Sequence, residues 1–467
     1  MKSILRLLVL KILKVLAKKR LSKYQGKIVA VTGSVGKTST KEAIFKVLNT
    51  QFRVRRSQKS MNSEFGLLLT ILDIESGYSN AGKWAFYLAK AFFHSLSKDT
   101  SEILLLEYGV DKPKDMDFLL SVAKPDIAVI TSIAPVHLAE GQFKSLEEIF
   151  EEKSKLAISL RENGVAILNT DNEFLESLSK KIPKRRVLTY GTNKEAGFRI
   201  SAVSSSISGV RFSLFHKENR TLIESPVLGD FHAFVLSPAY ICGNLFGMKD
   251  EDITEALKRF TLPPGRMTVI SGVKETTMID SSYNSSPDAL KEALNVFKSV
   301  AEKDQRKVAV LGQMNELGER SKDLHLIIGE IIPKFADILI AVGGDAKYFK
   351  EGAISKGMDE KEAFFVNNVK EAVDLYRDLT KKGDVLLVKG SQNRVRLERF
   401  VKEFMEHPEM AKELLVRQEK EWSKILGTIF QKLSVTKNKF PNLSGIFGWE
   451  MYRMRIFFPG RPGLGRA

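Results

Sequence analysis

The chain has 467 residues, 43% hydrophobic and 28% charged, with a formal net charge of +17. That balance suits a globular protein of two or three domains and excludes a disordered or fibrous chain. The single cysteine, Cys242, excludes an internal disulfide and a cysteine-held metal cluster, and fits a reducing compartment.

The excess charge lies at the two ends. Residues 1–27 hold nine Lys/Arg and no acid, residues 408–467 carry a net +6, and the body between them carries +2. A near-neutral body argues against a basic groove for nucleic acid, and no base-reading motif accompanies the charge. In the first twenty residues Lys2, Arg6, Lys11, Lys14 and Lys18 recur about once per helical turn among Leu and Ile. No apolar run there approaches the roughly 20 residues of a spanning helix. Two readings stay open for residues 1–25: a basic amphipathic helix in the interface of an anionic membrane, or a helix packing its Leu face on the body.

Residues 28–42, IVAVTGSVGKTSTKE, form the most informative stretch. Ile28–Val31 reads as a buried strand, and a helical pattern begins at Ser39. Between them Thr32, Gly33, Ser34, Val35, Gly36, Lys37, Thr38 and Ser39 have the composition of a phosphate cradle. Glycines let backbone N–H groups approach phosphate oxygens, and a helix N-terminus favours negative charge. Lys37 is expected on the outer phosphates and the Thr38 hydroxyl on Mg²⁺. Two residues separate the glycines here, against four in the common phosphate loop.

Further strand-like runs lie at 103–106, 127–130, 165–168, 308–311, 338–342 and 385–388, with helical spacing over 41–49 and 286–299. Alternation of this kind predicts an α/β fold with mainly parallel sheets. Residues 195–228, where Ser and Thr alternate with Ile, Val and Phe, predict antiparallel strands. Leu262-Pro263-Pro264-Gly265 is the best interior boundary signal. The expected parts are a helix over 1–25, a nucleotide domain over 26–263, a second domain over 264–405 and a basic tail over 406–467. A helix is expected over 411–433, and Phe447–Phe458 mixes aromatics with arginines as a headgroup interface would.

Chemistry-bearing residues recur at strand ends, where open α/β sheets bind ligands. Glu107 closes the 103–106 run and could hold Mg²⁺, and His137 follows the 127–130 run. Lys153, in Glu151-Glu152-Lys153-Ser154-Lys155, reads unaided as part of a solvated helix face. Arg266 sits in a hinge turn, able to clamp a transferring phosphoryl group. Asp280 to Asn284, Leu311 to Gly318 with His325 beyond, and Lys389-Gly390-Ser391 each follow or end a strand. Their shared position predicts a cleft between two domains.

TGSVGKTSTKE, PPGRM, DSSYNSSPDAL, LGQMNELGERSKDLH and VKGS, in this order over about residues 26–402, resemble the Mur ligases. The likeness is narrower still to the branch that adds D-alanyl-D-alanine. The resemblance implies a P-loop ATPase central domain and a second, Rossmann-like domain. It also implies an ATP-dependent, cytoplasmic amide ligase of cell-wall synthesis, acting through an acyl phosphate. By position, Lys37 and the loop amides hold the β- and γ-phosphates, and Thr38 holds one Mg²⁺. Glu107 and His137 match ligands of a second Mg²⁺, and Lys153 matches a lysine that the family carbamylates. Arg266 matches the γ-phosphate arginine, and Asp280 an acid that contacts the nucleotide. Asn284, His325 and Lys389–Ser391 match the region of the incoming dipeptide amine. Asn62 matches the loop that meets the muramoyl-peptide-like acyl substrate. A monomer is expected, with peripheral contact at the inner membrane face.

Three departures qualify the match. Only residues 1–25 precede the first strand, so the separate uridine-nucleotide-gripping domain of such ligases is expected to be absent. The family's His-Asn-x-x-Asn near the adenine stands here as His232-Ala233-Phe234-Val235-Leu236. One carboxylate of Asp-Asp-Ser-Tyr-Asn is Ser281. Two other readings therefore accompany the main one. One is a Mur-type ligase for another acyl substrate, such as a folate, an amino-acid polymer or a lipid-linked peptide. The other is a non-catalytic nucleotide-binding scaffold at a membrane.

Overall fold

The computed structural model describes residues 2–418 apart from 58–60, 78–80, 136–141, 303, 316 and 392–394. His137, Glu316 and the aromatic tail over 447–458 therefore lie outside the described residues.

A nine-stranded sheet comprises β1 (Lys27–Thr32), β2 (Val54–Arg56), β3 (Ile103–Glu107), β4 (Ile127–Ile130), β5 (Val165–Asn169), β6 (Val187–Gly191), β7 (Phe198–Ser206), β8 (Gly209–His216) and β9 (Asn219–Ser225). Its order is β2-β3-β1-β4-β5-β6-β7-β8-β9. Pairing is parallel from β2 to β7 and antiparallel through β7, β8 and β9. The antiparallel reading of 195–228 is thus borne out, as is the mainly parallel α/β class.

A six-stranded sheet comprises β10 (Thr268–Gly272), β11 (Thr276–Ser281), β12 (Lys307–Gly312), β13 (Ile338–Val342), β14 (Ala363–Val366) and β15 (Val385–Lys389), in the order β10-β11-β15-β12-β13-β14. Only the β10–β11 pair is antiparallel.

The apolar strands are buried on both faces, as parallel strands covered by helices must be. Along β1, Val29 and Val31 enter one core and Ile28 and Ala30 the other. On the Val29 side lie α2 (Lys37–Leu48), α8 (His232–Leu245) and α9 (Asp250–Lys258). On the Ile28 side lie α1 (Lys2–Leu21), α3 (Glu64–Leu72), α4 (Ala81–Leu96), α5 (Asp115–Val122), α6 (Leu146–Ile158) and α7 (Glu173–Lys181). The first core continues into the second sheet through α10 (Pro287–Val300), α11 (Ser321–Ile331) and α12 (Lys347–Ser355). That sheet's opposite face is covered by α13 (Val369–Leu379) and α14 (Glu398–Phe404).

Two expectations about helices change. The helix after the glycine loop starts at Lys37, not Ser39, because Gly36 takes the N-cap in a left-handed conformation. The helix expected over 411–433 stops at Leu414. Leu415 turns extended and inward, and Arg417 (φ +61°) donates to the carbonyls of Ser282 and Tyr283 and pairs with the buried Glu398. Those anchors outweigh helical propensity, and the stretch after 418 lies outside the described residues.

Candidate active site

The chain runs from β1 leftward in the sheet and from β4 rightward, so the crevice beyond their C-terminal ends is a topological switch point, the place where such sheets bind ligands. The glycine loop fills one wall of it. Gly33 has φ +146°, and a Cβ there would come within 2.0 Å of Thr131 Oγ1, so the turn requires glycine. The loop is pinned to the segment after β4. Ser34 Oγ donates to the Ala134 carbonyl (3.0 Å), and the Val35 N–H donates to Ser132 Oγ (3.2 Å). Thr131 Oγ1 donates to the Val35 carbonyl at 2.6 Å. The first turn of α2 has no acidic residue and no side-chain cap, leaving its amides for an anion.

Lys37 Nζ lies across the loop, donating to the carbonyls of Gly33 (2.8 Å) and Ser34 (3.2 Å). Thr38 Oγ1 donates to Glu107 Oε1 at 3.0 Å, and Asn62 Nδ2 donates to the same oxygen at 3.1 Å. Asn62 packs on Gly109, where a Cβ would fall 2.6 Å from its carboxamide carbon. The Thr32 side chain, by contrast, is buried and donates to the Tyr108 carbonyl at 2.7 Å. It braces β1 rather than facing a nucleotide. Ser39 lies half-buried in the first turn of α2.

Lys153 departs most from its unaided reading. It is fully buried on α6, and Glu152 and Ser154 beside it are buried too. Its Nζ has no hydrogen-bond partner among the described residues. Burial, reinforced by Lys37, pushes its pKa down to about 7. The same field acts on Lys37, whose pKa burial lowers, with Glu107 and Asp111 opposing and Arg266 adding to the fall. Lys37, Lys153, Glu107, Asp111 and Arg266 thus share one electrostatic neighbourhood.

Arg266 reaches that neighbourhood from the hinge. Gly265 takes φ +73°, its carbonyl accepts from the Tyr283 N–H (3.0 Å), and the Arg266 guanidinium lies 4.2 Å from the Tyr283 ring centre. At the end of β11 the fully buried Asp280 accepts the Ser282 N–H through Oδ1 (3.0 Å). Its Oδ2 has no partner among the described residues, and burial pushes its pKa up to about 6. Lys389, ending β15, is buried and donates to Ser281 Oγ (3.2 Å) and the Asn284 carbonyl (2.9 Å). Burial, then Arg266, pushes its pKa down to about 8. Asn284 itself is exposed. Gly390 lies close against Gly312, and Ser391 Oγ donates to the Ser285 carbonyl (3.1 Å) and accepts the Asn315 N–H (3.0 Å).

His325 differs from a group that touches substrate. It is fully buried, Nε2 accepts the Met314 N–H (2.8 Å), and Nδ1 faces the Ser321 carbonyl (2.6 Å). Both ring nitrogens are engaged by backbone, so His325 holds the 313–315 loop in place. The altered adenine segment lies at the start of α8. Ala233 and Leu236 are fully buried, and Val235 approaches Gly36.

Sequence reasoning missed Lys41. Its fully buried Nζ donates to the Ser57 carbonyl (2.7 Å) and lies 3.4 Å from Glu107 Oε2 and 3.1 Å from Glu42. Its place one helical turn after Lys37 was the available signal. Asp111, whose charge opposes the effect of burial on both Lys37 and Lys153, follows the Glu107-Tyr108-Gly109 strand end and was equally within reach.

The chain matches the Mur ligase middle domain over residues 31–236 and the Mur ligase, glutamate ligase domain over 265–392. It is 30% identical to UDP-N-acetylmuramoyl-tripeptide–D-alanyl-D-alanine ligase of Bacillus subtilis over 394 residues, covering 84% of this chain and 79% of the relative. In fold it is similar to MurF of Acinetobacter baumannii, with a TM-score of 0.71, 22% identity and coverage of 85% of this chain and 80% of the other. The MurF ligase of Thermotoga maritima in complex with ADP follows, with a TM-score of 0.68, 24% identity and coverage of 86% and 84%.

Proposed function

Given that the chain belongs to the Mur ligase family, we propose that it joins D-alanyl-D-alanine, or a closely similar amine, to a muramoyl-peptide acyl substrate. It is an ATP-dependent, ADP-forming ligase of peptidoglycan synthesis. The observation that carries the reading is that Lys37 of the glycine loop, Glu107 and the hinge Arg266 lie in one electrostatic neighbourhood, with Thr38 of the loop bonded to Glu107.

A substrate carboxylate attacks the γ-phosphorus of ATP, the bond to the bridging oxygen breaks, and ADP leaves behind an acyl phosphate. The neutral amine then attacks the acyl carbon, the tetrahedral intermediate loses a proton, and phosphate departs. Phosphorylation is needed because a bare carboxylate oxygen is a poor leaving group. In this mechanism Lys37 and the amides of residues 33–38 hold the β- and γ-phosphates, with Ser34 and Val35 kept in place by Ser132 and Ala134. Arg266 stabilises the charge of the transferring phosphoryl group. Asp280 faces the nucleotide from the second sheet. Asn62 orients the acyl substrate, while Asn284 and the Lys389–Ser391 loop shape the amine side. His325 acts through the 313–315 loop.

The hard oxygens of Thr38 and Glu107 would suit Mg²⁺, and Glu107 Oε2, which accepts no hydrogen bond among the described residues and has the Lys41 ammonium near it at 3.4 Å, keeps a lone pair for the ion. Held there, Mg²⁺ would supply screening of the phosphate charge. Lys153 is proposed to carry a carbamate. Its buried amine, with no hydrogen-bond partner among the described residues, adds CO₂ in its neutral form and releases a proton, turning a cation into a carboxylate-like ligand. The enzyme is proposed to act as a cytoplasmic monomer, with α1 bringing it to the inner membrane face.

Phosphate and ADP release, measured with ATP, muramoyl tripeptide nucleotide and D-alanyl-D-alanine, tests the reading. Turnover that needs all three is expected. Turnover with a folate or a polymer of amino acids, and none with any muramoyl peptide, would overturn it.

A further inference from the structure

Two helices on the outside of the first domain leave an apolar face uncovered among the described residues. α1 and α4 both pack on α3 and on each other. They run in the same direction. Arg6 lies over the Phe65 ring, which meets Trp84 near the start of α4, and Arg20 approaches His94 near its end. Val9, Leu13 and Ala17 of α1 and Trp84 and Ala91 of α4 face the same core. The opposite rows therefore point out of the molecule on one side.

Much of that exposed surface is apolar. On α1, Leu8 (53% exposed), Ile12 and Val15 (66%) follow each other at i, i+4 and i+7, with Leu5 in line. On α4, Phe86 (65%) and Phe93 (66%) share a stripe with Ala89, flanked by Phe92 and Leu96. Scattered exposed apolar residues are ordinary, but adjacent stripes on two neighbouring helices mark an interaction surface. The rim is cationic. Lys11, Lys18, Lys19, Lys83 and Lys90 are exposed, and neither helix contains an acid.

We propose that this α1–α4 face docks on an anionic lipid bilayer. The Phe86 and Phe93 rings and the Leu8-Ile12-Val15 stripe sit at the boundary of headgroups and acyl chains, and the lysines lie on the headgroups. Charge decides the occupant. A second copy of the face would bring cations against cations, and residues 408–467 of this chain carry a net +6 and meet the same repulsion. The two helices lie flat on the domain, and no helix among the described residues is long and apolar enough to cross a membrane. The inference rests on the peripheral location proposed for the ligase and gives it a surface; it is independent of the acyl substrate.

Sedimentation of the full chain with phosphatidylcholine vesicles, with and without phosphatidylglycerol, tests it. Binding is expected on the anionic vesicles, weakened by salt, with little on phosphatidylcholine alone. The double variant Phe86→Ser/Phe93→Ser removes two aromatic anchors and is expected to lose at least about tenfold in binding while keeping its circular dichroism and ligase turnover. Lys11→Glu/Lys18→Glu is expected to remove most of the salt-sensitive part. No vesicle binding by the wild type overturns the proposal, as does full binding by the double Phe variant. A wild-type dimer that the Phe substitutions dissociate, without vesicle binding, would make the face a self-interface and also overturn it. Vesicle binding without ligase turnover would strike the proposed activity and leave the docking surface standing.

Discussion

The two sides of the cleft hold their lysines differently. On the glycine-loop side Lys37 is half-buried and rests on the loop's own carbonyls, while Lys153 is fully buried with no partner among the described residues. On the second-sheet side Lys389 is buried too, but it ties the Ser281 hydroxyl to the Asn284 carbonyl. Lys37 rests on the very loop that would cradle a phosphate and is only half-buried, whereas Lys389 ties two segments of the second domain together. Under the proposed mechanism the first wall carries the phosphate and CO₂ chemistry, and the second shapes the amine side.

The sharpest way to break that contrast is Lys37→Ala. Loss of a cation that acts on the transferring phosphates is expected to cost about a thousandfold in kcat/KM for ATP, with the fold unchanged by circular dichroism. A loss below tenfold would remove Lys37 from the chemistry. Lys153→Ala is expected to cost about a hundredfold. Only the neutral amine takes up CO₂, and with its pKa at about 7 the neutral fraction grows as pH rises through that value. Stimulation by bicarbonate in CO₂-depleted buffer should therefore strengthen from pH 6 to pH 8 in the wild type and vanish in the variant.

On the second wall the test is thermodynamic. The Asp280 carboxyl is held protonated up to about pH 6, well above its unfolded value. Its folded pKa is raised, so its contribution to stability is complete below the unfolded pKa and is lost as pH rises toward 6. Across that window Asp280→Asn should lose about 2–3 kcal/mol less than the wild type in denaturant melts. Parallel melts would show that the group is solvated. The smallest effect is expected for Ser132→Ala, which frees the Val35 amide. About 1 kcal/mol, read as a several-fold rise in KM for ATP with kcat kept, is the expected outcome. An unchanged KM would mean that the loop needs no support from β4.

The phosphate cradle was legible because its requirements are local. A strand, glycines free to take positive φ and a helix start all lie within fifteen residues. The parallel strands were legible for the same reason, as continuous apolar runs. Lys153 was not, because Glu-Glu-Lys-Ser-Lys has the composition of a solvated face, and only the packing of α6 against the cleft buries it. His325 shows the converse: its place after a strand-end loop is visible in the sequence, but the backbone groups that occupy both nitrogens come from tertiary packing. Arg417 lay beyond reach, since its partners Ser282, Tyr283 and Glu398 are distant in the chain. The first helix was legible as amphipathic, yet the sequence offered membrane contact and body packing as alternatives. Its Val9-Leu13-Ala17 row takes the body, and the Leu8-Ile12-Val15 row is left over.

The surroundings of Glu107 bear on how the protein tolerates a charge in its interior. Its carboxylate is fully buried, yet the hydroxyl of Thr38, the amide of Asn62 and the ammonium of Lys41 already surround it. No bare charge is left in the interior at Glu107, because Lys41 is a resident counter-ion. The protein thus carries the compensation for this carboxylate within its own walls, as a built-in charge pair rather than one lent by a ligand.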